Sequence, residues 1–138
     1  MYQKDYILRL IEMAGKALAA LLGLIKGGKI DQASEELDNL YYDILKEDAA
    51  YFREIPEEKL TEKLLKEHNY TNGHLEILAE LFNAEAELRI AKGEKAGSVE
   101  FSGKALCLME FIDAEYKTYS QERIDKMEAI RKRISTIE

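Results

Sequence analysis

The chain has 138 residues, of which 46% are hydrophobic and 34% charged, with a formal net charge of −7. That length and balance fit one soluble globular domain spanning 1–138 with a sizeable core, and exclude a disordered or bilayer-spanning chain. A single cysteine, Cys107, excludes an intrachain disulfide framework, and two histidines leave no zinc-binding spacing.

One proline, with abundant Leu, Ala, Glu and Lys, predicts an all-α chain. Helix 1 runs from Tyr2 or Lys4 to Lys26. Ile7, Ile11, Ala14, Leu18, Leu21 and Ile25 recur at helical spacing, with Leu10, Ala17 and Leu24 beside them. So wide an apolar face implies neighbours on more than one side. Its apolar run at 17–25 is too short to span a bilayer and leads into Lys26-Gly27-Gly28-Lys29, not a cleavage site. It reads as a buried helix of a cytoplasmic protein.

Gly27-Gly28 ends helix 1, and Asp31 is placed to cap helix 2, whose apolar stripe is Ala33, Leu37, Leu40, Tyr41, Ile44 and Leu45. Acids at Asp43, Glu47 and Asp48 oppose the dipole at its end, so residues 49–56 are open between helix and loop. Pro56 opens a short helix with Leu60, Leu64 and Leu65 inward, and residues 68–74 form a loop in which Thr71 or Asn72 caps the next helix. Helix 4 carries Leu75, Leu78, Ala79, Phe82, Ala86 and Ile90 to a stop at Lys92-Gly93. Helix 5 carries Phe101, Ala105, Leu108, Met109, Ile112 and Tyr116. Ser120 caps helix 6, with Ile124, Met127, Ile130, Ile134 and Ile137 in a stripe. Five long helices and one short one, joined by tight turns, predict antiparallel neighbours.

The two glycine breaks repeat one pattern. Ala17, Leu21 and Leu24 precede Gly28, and Ala33, Leu37 and Leu40 come after it; Phe82 and Ala86 precede Gly93, and Ser98, Phe101 and Ala105 come after it. These residues resemble the tetratricopeptide repeat, a helix–turn–helix unit of about 34 residues. The resemblance implies stacked antiparallel hairpins in a divergent bundle. It departs from the pattern in lacking tryptophan and in placing Leu45 and Glu110 where each unit would end in proline. The opening, with Asp5, Tyr6, Ile7, Arg9 and Ile11, also resembles a family of small uncharacterised bacterial proteins, which carries no activity with it.

No motif specifies a reaction, and the expectation is of a protein without enzymatic activity, cofactor or metal. His68 and His74 read as loop-surface residues, Cys107 as a small buried hydrophobe, and Asp5 with Arg9 as an exposed helical pair. Residues 31–67 carry twelve acidic against five basic side chains, which argues against nucleic acid and favours a basic or amphipathic peptide partner. In that third, Glu35, Asp38, Asn39, Tyr42 and Tyr51 are candidates to line a peptide-binding groove built by helices 1, 2 and 4. The competing reading is that these tyrosines seal the bundle edge. An interaction module is the chosen function. Its alternatives are a small-ligand-binding or enzymatic helical bundle, for which the apolar stripes show no convergent buried polar residues, and a homodimer through helix 6. That helix reads preferentially as a C-terminal cap.

Overall fold

Two left-handed glycines turn the chain back on itself. The computed structural model describes residues 2–116 and 119–138, with side chains from Asp5 to Glu115 and from Tyr119 to Glu138. After α1 (Tyr2–Lys26), Gly28 takes φ +79°; its amide and that of Lys29 donate to the carbonyls of Ile25 and Leu24 at 3.1 and 2.9 Å. After α5 (Asn72–Ala91), Gly93 takes φ +81°; its amide and that of Glu94 donate to Ile90 and Arg89 at 2.9 and 2.8 Å. Both are Schellman closures, which a residue without Cβ makes without strain. Each leads straight into the next helix, α2 (Ile30–Leu45) and α6 (Lys95–Tyr116), so α1/α2 and α5/α6 are antiparallel hairpins. Five residues beyond each glycine a small side chain, Ala33 or Ser98, is completely buried. Helix α7 (Gln121–Ile137) packs on α6.

The hairpins are joined by α3 (Ala49–Arg53) and α4 (Leu60–Glu62), the latter between a 3₁₀ turn (Glu57–Lys59) and a π turn (Lys63–Glu67). Five long helices therefore stand as expected, but two short ones replace the single short helix. Lys46, at φ 65°, stops α2, and the Asp48 side chain starts α3 by accepting from the Tyr51 amide at 3.1 Å. Pro56 takes the cap position before the 3₁₀ turn, with an extended ψ, and so precedes that helix instead of opening it. The expected cap of α2 is also corrected. The Schellman turn ends at Lys29, whose carbonyl already accepts from Ala33, so Lys29 is the cap and Asp31 lies in the first turn. Thr71 and Ser120 do cap α5 and α7. Among the described residues there is no strand.

Helix α5 is central. Leu75, Ile77, Leu78, Leu81, Phe82, Ala84, Ala86 and Leu88 bury nearly its whole circumference, the state of a helix surrounded by others. Ile90, read as core from its spacing, is 43% exposed and lines an open hollow beside Ala129, Lys132 and Ile137 of α7. Leu10, Ala14, Leu18 and Leu21 of α1, with Met109, Ile112, Met127 and Ile130 of α6 and α7, join the same core, as do Leu37, Tyr41 and Ile44 of α2 and Phe52 of α3. Tyr116, expected on the α6 stripe, has its side chain outside the described residues. Gly73 opens the approach of α1 to α5: a Cβ there would stand 2.2 Å from the Ile7 methyl. Both residues lie near their helix starts, so α1 and α5 run parallel. Lys126–Glu80 and Arg133–Glu87, each at 3.0 Å and one heptad apart, make α7 parallel to α5 as well.

The apolar stripes conceal a polar centre. Glu85, 2% exposed, accepts through Oε1 from the Tyr41 hydroxyl (3.1 Å) and Arg53 Nε (2.9 Å), and through Oε2 from Arg89 Nε (3.2 Å). Arg53 Nη2 also reaches Asp38 at 2.6 Å. Lys104, likewise buried, donates to the Arg53 carbonyl at 2.8 Å and lies 4.8 Å from the centre of the Phe101 ring. Convergent buried polar residues thus exist, contrary to the sequence reading, because the pair Glu85–Arg89 resembles a surface i, i+4 pair until α2 and α3 cover it. Burial first, then the adjacent carboxylate of Glu85, pushes the Tyr41 hydroxyl well above its ordinary pKa, so it remains a donor. Replacing Glu85 by Gln removes the anion that both guanidinium groups face. We predict a loss of about 3 kcal/mol for Glu85→Gln and about 1 kcal/mol for Tyr41→Phe, read from urea midpoints. Each arginine keeps a second carboxylate, Asp38 or Glu94, which holds the first figure at the low end for a buried pair.

Candidate functional site

Helix α1 presents more apolar surface than its neighbours cover. Its inner stripe is buried, while Ile11, Gly15, Ala19 and Leu22, rotated roughly a quarter turn from it, face a groove of about 410 Å³. The floor comes from α5, through Glu76, Ile77, Glu80 and Asn83, and the far wall from Glu122 and Lys126 of α7. At its α5 amino-terminal end the groove meets a smaller hollow of about 190 Å³ that reaches Met109, Ile112 and Ser120; Glu76 lines both.

Helix α1 has two mid-helix glycines, Gly15 on the groove wall and Gly23 beyond it. A Cβ at Gly15 or Gly23 would meet nothing within 4 Å, so no neighbour inside the chain requires either glycine. Each weakens the helix by roughly 1 kcal/mol relative to alanine. Gly15 and Ala19, four apart, leave the helix backbone accessible along the groove edge.

Polar bonds hold the opposite side. Lys126 Nζ lies 3.0 Å from Glu80 Oε1 and 3.2 Å from Glu122 Oε1; burial opposes its charge, but these carboxylates more than offset that and raise its pKa. Arg133 bridges α7 to Glu87, Asn83 and Ser102. Arg123 pairs with Asp113 at 2.8 Å. Glu76 differs: among the described residues no hydrogen bond or ion pair engages it, and burial raises its pKa despite the fields of Arg123 and Lys126.

The residues singled out in the sequence separate into two settings. Glu35, Asn39 and Tyr42 are exposed on α2, Tyr42 by 58%, while Asp38 is turned to Arg53. Tyr51 is half-buried, edge-on to Phe52 and His68 with ring centres 5.2 and 4.9 Å away. Helix α2 lends no residue to the groove, whose third helix is α7. The stripe of α7 is used within the chain: Met127 and Ile130 are buried and Ile134 packs against the core. Cys107 is only half-buried, and burial raises its thiol pKa. On α1 the exposed ion pair is Glu12–Lys16, with Asp5 in the first turn instead of joined to Arg9.

Of the two histidines, His68 stays in the loop, partly exposed, while His74 lies in a helix. His68 lies 3.5 Å from Glu47 and beside the Tyr70 ring, and Tyr70 stacks on His74 with centres 4.7 Å apart. The Tyr70 hydroxyl donates to the Leu45 carbonyl at 2.6 Å, and burial pushes it up to about 12. His74 belongs to α5: its Nδ1 accepts from the Thr71 amide at 3.1 Å in a capping box, a position that sequence rules reserve for Glu or Gln. No group of three or more potential metal ligands occurs among the described residues.

That acceptor works only while the ring is neutral. Burial lowers the His74 pKa below 6.5, so between pH 6.5 and the folded-state value the unfolded chain binds a proton that the folded chain does not. Stability therefore falls as pH drops through this window, while glutamine keeps the box. We predict a steeper decline in urea midpoint from pH 6.5 to 5 for the wild type than for His74→Gln.

Comparison with models of known protein families, with curated proteins and with solved structures gave no match.

Proposed function

We propose that this chain is a protein-docking module of divergent tetratricopeptide-like build, and that it takes a helical protein segment in the groove between α1, α5 and α7. The build is supported by the paired Schellman hairpins and by the small buried residue five positions beyond each glycine, Ala33 and Ser98. The first helices of the two hairpins run parallel beside α7, and stacked hairpins use such an arrangement to present an extended concave face. The α7 stripe closes the stack as a cap.

One observation carries the docking reading: an apolar groove wall with an open glycine position, Gly15, that no contact among the described residues explains. From Ile11 to Leu22 the wall is about 16 Å long, three turns of helix, which suits a helical segment better than a compact small molecule. Exposed Leu8, 55% accessible, extends it by one more turn.

The test fills the groove without changing charge. Gly15→Gln with Ala19→Gln introduces two bulky helix formers where space is open, so the melting temperature should stay level or rise. Tagged wild type, this variant and Tyr42→Ala/Tyr51→Ala are used for affinity capture from the native cell extract. The captured partner's helical segment is then measured against each purified protein. The expected result is retention by the wild type and the tyrosine variant, with at least tenfold weaker binding to the filled groove. Loss confined to the tyrosine variant moves the docking face to α2 and α3. Equal binding by all three overturns both locations.

A further inference from the structure

We infer that the segment accepted by this groove is a cationic amphipathic helix, and that Glu76 selects it by pairing with a lysine or arginine on the flank of its apolar face. This rests on the docking reading above and names the chemistry of the occupant.

Most charges of the groove are already committed. Glu80 and Glu122 share Lys126, and Arg123 is bound to Asp113. Asn83 and Glu87, further along the floor, are taken by Arg133. Glu76 stands half-buried where the groove meets the smaller hollow, with no direct partner among the described residues. Three carboxylates and one ammonium group line this groove. An arriving helix that covers Glu76 with apolar surface removes its remaining water, which is unfavourable for a carboxylate supported only by the fields of Arg123 and Lys126. A cation on the arriving helix reverses that sign, because a charge-assisted hydrogen bond forms as the water leaves. An acidic helix would meet the same field with like charge, so the groove discriminates between the two.

The α1 wall supplies the rest of the fit. Apolar residues at i, i+3 and i+4 of the incoming helix face Ile11 and Leu22, and Gly15 and Ala19 let it approach closely between them. Glu76 lies across the floor from that wall, so the cation belongs on the flank of the apolar stripe.

Two synthetic 18-residue helical peptides provide the probe, with one leucine face in common and either lysine or glutamate along its flank. Fluorescence anisotropy is measured against wild type, Glu76→Gln and Gly15→Gln/Ala19→Gln, at 50 and 300 mM salt. The lysine peptide should bind the wild type at least tenfold tighter than the glutamate peptide. Glu76→Gln should lose about fivefold of that affinity and show a weaker salt dependence, and the filled groove should lose at least tenfold. The filled-groove protein has the wild-type net charge, so lysine-peptide binding that persists in it is non-specific attraction to an acidic protein and overturns both the inference and the docking reading. If the two peptides bind equally and the filled groove weakens both, the charge selection is wrong while docking stands. An unchanged affinity in Glu76→Gln removes that residue as the selector, and no measurable binding of the lysine peptide overturns the inference outright.

Discussion

The position of the first hairpin on the second depends on one buried carboxylate. Glu85 sits on the central helix with both oxygens occupied, and its donors come from α2, α3 and α5 itself. Apolar contacts are tolerant of small sliding, but these bonds are not. Moving α2 by one turn along α5 would withdraw the Tyr41 hydroxyl from Glu85 and leave a desolvated oxygen short of a donor. Arg53 extends the same constraint, since its side chain holds Glu85 and Asp38 while its carbonyl takes the buried Lys104 ammonium of α6. A five-residue helix, anchored in the core by Phe52, thus becomes the junction at which three longer helices agree on a register.

That constraint explains which parts of the fold the sequence reveals. Gly28 and Gly93 are legible because a left-handed turn leaves a residue signature, and the stripes of α2 and α7 are legible because each helix has one buried face. Helix α5 is legible only by half. Burial all round erases the periodic contrast, so Ile77, Leu81 and Ala84 are missed and Ile90 is wrongly counted inside. Glu85 is invisible for a different reason, because its role depends on residues 32 and 44 positions earlier. Asp31 shows the limit of cap rules. It has the right chemistry, but the preceding Schellman turn decides where the helix starts.

The groove shows the same division. The breadth of the α1 face is plain in the sequence, and it does imply neighbours on more than one side. Spacing alone does not show that α2 and α5 take the inner side while one flank remains open beside α7. The acidic third containing Glu35, Asp38, Asn39, Tyr42 and Tyr51 draws attention by composition, yet Asp38 and Tyr51 are engaged in holding α3. Glu76, Glu80 and Glu122 lie on two separate helices and become one surface only when α1, α5 and α7 align in parallel.

The two polar assemblies on α5 act in complementary ways. On one side Glu85 ties the floor of the groove to α2 and α3, so a helix docking as proposed would meet a surface whose position is already determined and lose less affinity to reorganisation. On the other side Lys126 and Arg133 attach α7 through charged bonds at the groove margin, where water still reaches them. A cation entering beside Glu76 approaches Glu80 and Glu122, the two carboxylates that hold Lys126. A helix docking as proposed would therefore act on the attachment of α7 as well as on Glu76, because its cation would compete with Lys126 for the same negative lining. On that proposal docking strength and the seating of α7 would be coupled through three glutamates, because Lys126 ties α7 to the groove margin by charge while Met127 and Ile130 hold it to the core.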